Sequence, residues 1–211
     1  TEIQKLYLTE RPVDQPVFRD LVRTDVKVAS RDLGWRSFQG STCIETTDLA
    51  PGNNMPEIYN FAGSGAGHGG YLARSSSATG IGAGLYAGFM DAPLSWQQVS
   101  AIEWVMNNAT PTSSVRVLLR LGGLWVASAA TFHCVGAHSA QDWSLAEPFA
   151  LALTRTASHW RAATLLPGAA LSLGAPLSED LQGNALEAFG FLCDGTVDGT
   201  VRIDEVTLTR A

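Results

Sequence analysis

The sequence predicts an all-β protein, an antiparallel β-sandwich of the jelly-roll type. Helical spacing of apolar residues is rare, since serine, threonine and glycine interrupt most windows of the chain. Short alternating or apolar segments recur instead, separated by Gly, Pro, Asn and Asp, as in sandwiches and jelly rolls. The chain has 211 residues, 45% of them hydrophobic, and no linker or charge run divides it. We therefore expect a single domain over residues 1–211.

The segments expected as strands share β-rich or apolar composition and lie between turn residues. They are residues 25–29, 42–47, 57–61, 69–74, 84–90, 100–106, 114–121, 124–132, 147–155, 159–166, 186–193 and 200–209. Short helices of one or two turns are expected only at residues 16–22 and 177–184.

The clearest local prediction is a β-hairpin around Gly122-Gly123. Two β-rich segments flank this pair, and glycine supplies the positive φ angles of a two-residue hairpin turn. The turn then pairs Leu121 with Leu124, Arg120 with Trp125, and Leu119 with Val126.

Alternation along the two hairpin strands separates a core row from a mixed row. The core row is Val115, Val117, Leu119, Leu121, Leu124 and Val126. The mixed row is Arg116, Leu118, Arg120, Trp125 and Ala127, in which two guanidinium groups accompany an indole.

In the C-terminal strand, the apolar residues switch from one alternating set of positions to the other in the middle of the strand. Val201 and Ile203 share one parity, whereas Val206 and Leu208 share the other. One extra residue at Asp204-Glu205 would return all four apolar side chains to one face, so we expect a β-bulge there.

Charge and hydropathy exclude two classes of partner. The formal net charge is −6, and the 14 lysines and arginines are dispersed, so the chain lacks the basic stripe that binds nucleic acid. No apolar run approaches the roughly 18 residues of a transmembrane helix. The three cysteines, Cys43, Cys134 and Cys193, leave open either one disulfide with a spare thiol or three buried thiols.

The glycine-rich segment at residues 63–88 contains GAGHGG, which satisfies the pattern G-x-G-x-x-G. A dinucleotide site needs a helix directly after these glycines, because the helix N-terminus holds the pyrophosphate. The following segment, YLARSSSATG, forms no amphipathic helix, and the chain lacks βαβ alternation. The glycines are therefore expected in a loop and two short strands at the rim of the sandwich.

The histidines give a weak transition-metal signal. His133, Cys134 and His138 are soft ligands, but no second cluster accompanies them, and the two histidines have opposite parity in a strand. Structural or surface histidines are favoured at all four positions.

A structural Ca²⁺ site is expected at Asp204. Asp204 stands at the predicted bulge, with Asp194, Asp198 and Glu205 nearby, and carboxylates with carbonyl oxygens suit hard cations. The alternative is an acidic turn cluster satisfied by backbone amides.

No catalytic residue is assigned. Glu45, Glu57 and Glu103 are isolated carboxylates, and no E-x-D-x-E run or G-x-S-x-G elbow is present. A polysaccharide lyase or glycoside hydrolase remains an alternative, because a Tyr/His pair with an arginine can act on uronates. A structural surface domain without a sugar site is the other alternative.

Aromatic side chains favour a sugar-binding surface. Indoles stack on the apolar C–H faces of sugars, and the chain has six tryptophans. Trp104 shares parity with Ile102 and Met106 and is expected in the core. Trp125 is the best candidate for exposure, although an arginine stacked on it as surface packing would fit equally well.

The order of several motifs resembles the jelly-roll domains, concanavalin-like or galactose-binding-like, of secreted bacterial proteins. Such domains occur in PEP-CTERM-associated proteins and in modules attached to polysaccharide-degrading enzymes. The resemblance is carried by DLGWRSFQG, GGYLARSSS, VRVLLRLGGLWVASAATF and EAFGFLCDGTVDGTVRIDEVTL. It covers the second half of the chain best. This chain has Val126 where the family often has tyrosine in the hairpin.

The resemblance implies a secreted, lectin-like domain that acts outside the cell or at its surface and binds carbohydrate without catalysis. We expect its ligand to be an acidic or hydroxyl-rich polysaccharide. The expected contact residues are Trp125, Arg116, Arg120, His68, Tyr71, Arg74 and Tyr86.

Overall fold

The architecture is a sandwich of two antiparallel sheets, as the sequence predicts. The computed structural model describes residues 35–39, 44–46, 57–59, 71–76, 83–139, 144–165, 172–183, 185–193 and 199–209. The strands are β1 Trp35–Gln39, β2 Ile44–Thr46, β3 Glu57–Tyr59, β4 Tyr71–Ser76, β5 Ala83–Ser95, β6 Ala101–Met106, β7 Ser114–Leu121, β8 Leu124–Ser128, β9 Phe132–His133, β10 Glu147–Ala152, β11 Trp160–Thr164, β12 Ser172–Pro176, β13 Ala185–Cys193 and β14 Gly199–Thr209.

The larger sheet has nine strands in the order β12-β11-β8-β7-β13-β5-β1-β2, with β9 paired to β7. The smaller sheet has five strands in the order β10-β6-β14-β4-β3. Neighbours in a sheet are mostly distant in sequence: β13 lies between β5 and β7, and β14 lies between β4 and β6. These long-range pairings produce the jelly-roll arrangement.

The main core fills the space between the sheets. Alternate residues of β6 and β14 on the smaller sheet meet alternate residues of β7 and β13 on the larger one. At the centre are large side chains with almost no exposed surface, including Trp104, Trp160, Phe189 and Phe191.

The predicted β-bulge in the C-terminal strand is confirmed. Asp204 pairs with Val105, but Thr207 pairs with Glu103, so β14 has one residue more than β6 across this step. The bulge returns Val206 and Leu208 to the face of Val201 and Ile203, and all four are buried.

The predicted hairpin is also confirmed, with all three expected pairs in register. Gly122 and Gly123 have φ of 54° and 83°, the left-handed values of a type I′ turn. The core row is buried as expected except for Leu124, which is 72% exposed. Alternation determines the side of the sheet on which Leu124 lies, but this residue adjoins the turn at the end of the hairpin and stays exposed.

The helix predicted at residues 177–184 is wrong for the described residues 177–183. Leu177 and Leu181 have helical spacing, but their N–H groups donate to the distant carbonyls of Trp160 and Arg155, at 3.0 and 2.9 Å. Both leucines therefore anchor an irregular connection. The strands β1 and β12 were not predicted, and the segments at 16–22 and 25–29 lie outside the described residues.

Replacing Gly123 by alanine is expected to lower the free energy of unfolding by about 1–2 kcal/mol, because alanine is strained at positive φ. A Cβ at this position meets no heavy atom within 4 Å, so the expected loss comes from backbone strain and not from a steric clash. Urea unfolding measures the change. The matched control is Gly123→Asn, which tolerates this conformation and should lose clearly less. Equal losses in the two variants would contradict the assignment of the turn.

Candidate ligand-binding face

The mixed row of the hairpin lies on the side of the nine-stranded sheet that faces away from the main core. We call this side the outer face and define it by Arg116, Leu118, Arg120, Trp125 and Ala127. Leu118 pairs with Ala127, and Arg120 pairs with Trp125, so the residues of each pair lie side by side.

A small apolar cluster supports Trp125 on this face. Its buried members are Leu118, Ala127, Leu165 and Leu192, and Trp125, Ala163 and Leu173 pack against them. Trp125 itself is half-buried. Part of the indole is therefore fixed by packing while the rest remains accessible to solvent, as a preformed stacking platform requires.

Arg120 and Glu187 form an ion pair beside this indole. Arg120 Nε lies 3.0 Å from Glu187 Oε2, and the two side chains are 35% and 28% exposed. The guanidinium carbon of Arg120 is 5.9 Å from the centroid of the Trp125 ring, at the outer limit of a cation–π contact. Donors and acceptors thus stand next to an apolar surface.

Arg116 has a different environment. Its Nη1 donates to the carbonyl oxygen of Ser128 at 2.8 Å and also to that of Ala129. Ser128 Oγ, in turn, accepts from the Val117 N–H and donates to Ala130. Arg116 thereby secures the end of β8 against β7, so its guanidinium is partly committed to the fold.

A third arginine, Arg161, belongs to the outer face and was not predicted. It pairs with Ala127 across β11 and β8, which places the two residues on the same side of the sheet. Its Nε donates to the carbonyl oxygen of Gly174 at 3.0 Å. Arg161 directly follows Trp160, a buried residue, within the predicted strand. Because side chains alternate along a strand, the sequence could have indicated that Arg161 faces away from the core.

For three of the other predicted contact residues the structure describes only the position in a strand. Tyr71 and Arg74 lie in β4 of the five-stranded sheet. Tyr86 lies in β5 and pairs with Phe191, a core residue. His68 is outside the described residues, as are the side chains of Tyr71, Arg74 and Tyr86. The structure thus brings together Trp125, Arg116 and Arg120 from the predicted set.

The side chain of Asp204 also lies outside the described part, so the Ca²⁺ site stays a prediction. Within that part, a different set of metal-ligand side chains comes together, namely Cys134, His138 and Glu147. Cys134 is buried with a free thiol.

The sandwich has the jelly-roll fold of carbohydrate-binding modules. It is similar to the family 11 carbohydrate-binding module of the cellulosomal cellulase Lic26A-Cel5E of Clostridium thermocellum, with 14% identity over 85% of this chain and 89% of the module, and a TM-score of 0.51. A candidate sugar-binding protein of Bacteroides thetaiotaomicron gives 11% identity over 94% of this chain and 96% of that one, with a TM-score of 0.47.

Sequence comparison adds no family assignment, because no protein-family model and no curated protein matches the chain. Among the described residues, no helix is long and apolar enough to cross a membrane.

Proposed function

We propose that this protein is a noncatalytic carbohydrate-binding domain that binds polysaccharide on the outer face around Trp125. The observation that carries the proposal is the half-buried Trp125, held on a buried apolar cluster beside the Arg120–Glu187 ion pair. The jelly-roll fold of carbohydrate-binding modules is consistent with it, although fold alone does not assign function.

The chemistry of the face suits a sugar ring. The accessible part of the indole offers an apolar surface to the axial C–H groups of a pyranose. Glu187 accepts hydrogen bonds from sugar hydroxyl groups, and the guanidinium groups of Arg120 and Arg161 donate to them. Because the ion pair and the Gly174 contact already orient these groups, little side-chain entropy is lost on binding.

The charges on this face favour an acidic glycan over a neutral one. Glu187 offsets the charge of Arg120, whereas Arg161 keeps its positive charge, because its hydrogen bond goes to the neutral carbonyl group of Gly174. A carboxylate of a uronic acid would therefore be attracted to the end of the face near Arg161.

Affinity gel electrophoresis with a panel of soluble polysaccharides tests the function. The panel contains neutral β-glucans and xylans together with polygalacturonate and alginate. We expect retardation by at least one polysaccharide, strongest for the acidic members. Mobility unchanged in every gel, with the protein folded, would contradict the proposal.

Salt distinguishes the two classes of ligand. The screening length falls from about 10 Å at 0.1 M salt to about 3 Å at 1 M. Binding of an acidic glycan is expected to weaken over this range, whereas stacking on a neutral glycan should persist.

A location outside the cell, where such polysaccharides are found, follows from this proposal. It fits the similarity to a module of a cellulosomal enzyme.

A further inference from the structure

Three side chains capable of binding a metal converge where β6 ends, β9 ends and β10 begins. Cys134 directly follows β9, Glu147 is the first residue of β10, and His138 lies in the connection between them. The thiol sulfur, an imidazole nitrogen and a carboxylate oxygen all lie within 4.8 Å of one another. This cluster is separate from the outer face and from the proposed polysaccharide-binding residues.

Glu147 is the organising group of the cluster. Its Oε1 accepts hydrogen bonds from the N–H groups of Val135 and Gly136, at 2.8 and 3.2 Å. The same oxygen lies 3.1 Å from His138 Nε2. Burial raises the pKa of Glu147, but the hydrogen bonds from Val135, His138 and Gly136 outweigh it and lower the pKa overall. The carboxylate is therefore ionised and fixed in place.

Cys134 supplies the soft ligand. Its side chain has no exposed surface, and its sulfur lies 3.6 Å from the carbonyl oxygen of Met106. Burial raises the pKa of the thiol to about 11, the nearby Glu147 charge adds to this effect, and a backbone hydrogen bond from Asn108 opposes it.

His138 provides independent evidence for a ligand. Its side chain is only 8% exposed, yet Nδ1 is buried and has no hydrogen-bond partner among the described residues. Buried polar atoms in folded proteins nearly always have a partner. Ligation of an ion through Nδ1 would give this nitrogen a partner, while Nε2 keeps its hydrogen bond to Glu147 Oε1.

The backbone around His138 is held in place from both sides. Its N–H donates to the carbonyl oxygen of Asn108 at 2.8 Å. Its own carbonyl oxygen accepts from Arg202 Nη1 at 3.2 Å. Asn107 Nδ2 further donates to the carbonyl oxygen of Ser139 at 3.0 Å. The buried Asn107 and Asn108 thus tie the connection to the end of β6, which preorganises the cluster.

The donor set selects the type of metal. Thiolate and imidazole favour borderline and soft cations such as Zn²⁺, whereas Ca²⁺ and Mg²⁺ take oxygen ligands. Tetrahedral Zn²⁺ with bonds of about 2.0–2.3 Å separates its ligand atoms by roughly 3.3–3.7 Å. Side-chain movements of about 1 Å would close the cluster around the ion.

We propose that Cys134, His138 and Glu147 form a Zn²⁺ site that fixes the connection between β9 and β10 to the sandwich. On binding, the sulfur–zinc bond forms as the thiol proton leaves to solvent. Thiolate and carboxylate then balance the two positive charges of the ion. Water completes the fourth position, as in other sites with three protein ligands. In this proposal the ion ties the connection to the sandwich, and its binding does not depend on the proposed sugar binding.

Cobalt(II) is the probe that tests the site, because it reports its ligands by absorption. Tag-free protein is treated with chelator and reductant, exchanged into metal-free buffer and titrated with CoCl₂. We expect a thiolate-to-cobalt charge-transfer band and the visible bands of tetrahedral cobalt, saturating at a single equivalent. Zn²⁺ should abolish both and raise the melting temperature.

Variants of the three ligands identify the site. Cys134→Ala should lose the charge-transfer band. His138→Gln and Glu147→Gln change side chains that are less buried than Cys134. Each should weaken cobalt binding more than the loss of a residue that only hydrogen-bonds to a metal ligand, which costs roughly 10–100-fold in affinity. Cys193→Ser and His133→Gln are the matched controls, and both should bind cobalt as the wild type does.

Two results would overturn the proposal. One is a folded wild-type protein that, with cobalt in large excess, develops no thiolate band. The other is a band that persists in Cys134→Ala. If Cys134→Ala fails to fold, as judged by circular dichroism, unchanged cobalt affinity in Glu147→Gln and His138→Gln would overturn the proposal equally.

Discussion

Replacing Trp125 by alanine is expected to weaken polysaccharide binding at least about tenfold, which corresponds to about 1.4 kcal/mol. The substitution removes the indole on which the sugar is proposed to stack, and aromatic contacts contribute about 0.5–1.5 kcal/mol beyond the apolar area they bury. It also removes the surface against which Arg120 is positioned. Isothermal titration calorimetry with the best ligand of the panel measures the change.

The control for this experiment is Leu124→Ala. Leu124 precedes Trp125 on the same strand and is 72% exposed, but it belongs to the opposite row of the hairpin. Its loss should leave affinity unchanged. Trp125 also packs on the apolar cluster, so each variant must be shown to be folded at the assay temperature. Trp125→Phe, which retains a ring, should bind more tightly than Trp125→Ala. Wild-type affinity in folded Trp125→Ala would rule out the outer face as the binding site.

Replacing Trp104 by alanine is expected to lower the free energy of unfolding by about 3–5 kcal/mol. Trp104 is buried, and its ring lies 4.9 Å from Phe132, 5.8 Å from Phe149 and 5.3 Å from Phe191, measured between centroids. These aromatic residues belong to both sheets, so the cavity would open at the junction between them. Such a loss is a large part of the 5–15 kcal/mol typical of a domain. Urea unfolding followed by far-UV circular dichroism measures it.

Trp104→Phe separates ring packing from the indole N–H. Trp104 Nε1 is buried without a hydrogen-bond partner among the described residues. Phenylalanine removes this unsatisfied donor and retains most of the ring contacts, so we expect clearly less than half the loss caused by alanine. Leu145→Ala, at a position that is 66% exposed, should change stability by less than about 0.5 kcal/mol. A loss below about 1 kcal/mol in Trp104→Ala would contradict the central role of this aromatic cluster.

Tertiary structure decided how the expected contact residues are distributed over the two sheets. Arg120 and Trp125 are neighbours because the two-glycine turn sets their pairing, which the sequence alone predicts. Glu187 reaches Arg120 because β13 pairs with β7, an arrangement of segments far apart in the chain. The same long-range topology places Tyr71 and Arg74 in the other sheet.

The cluster of metal-ligand side chains also depends on contacts that the sequence alone does not predict. Strand parity argued against a site containing both His133 and His138, and His138 in fact lies in a connection where parity does not apply. Glu147 joins Cys134 and His138 because the chain returns to begin β10, a contact that no local spacing predicts. The short spacing between Cys134 and His138 in the sequence was a partial indication of a metal site. The sequence did not indicate that the carboxylate of Glu147 completes the set of ligands.

The sequence by itself determined the all-β class, the register of the central hairpin and the bulge in the last strand. Each follows from the two-residue period of a strand or from the φ angles that glycine permits, which are local properties of the backbone. Only the tertiary structure decided which strands became neighbours and which polar groups met across them. Those pairings depend on burying apolar faces from the whole chain at once, so residues far apart in sequence become partners only when the two sheets are assembled.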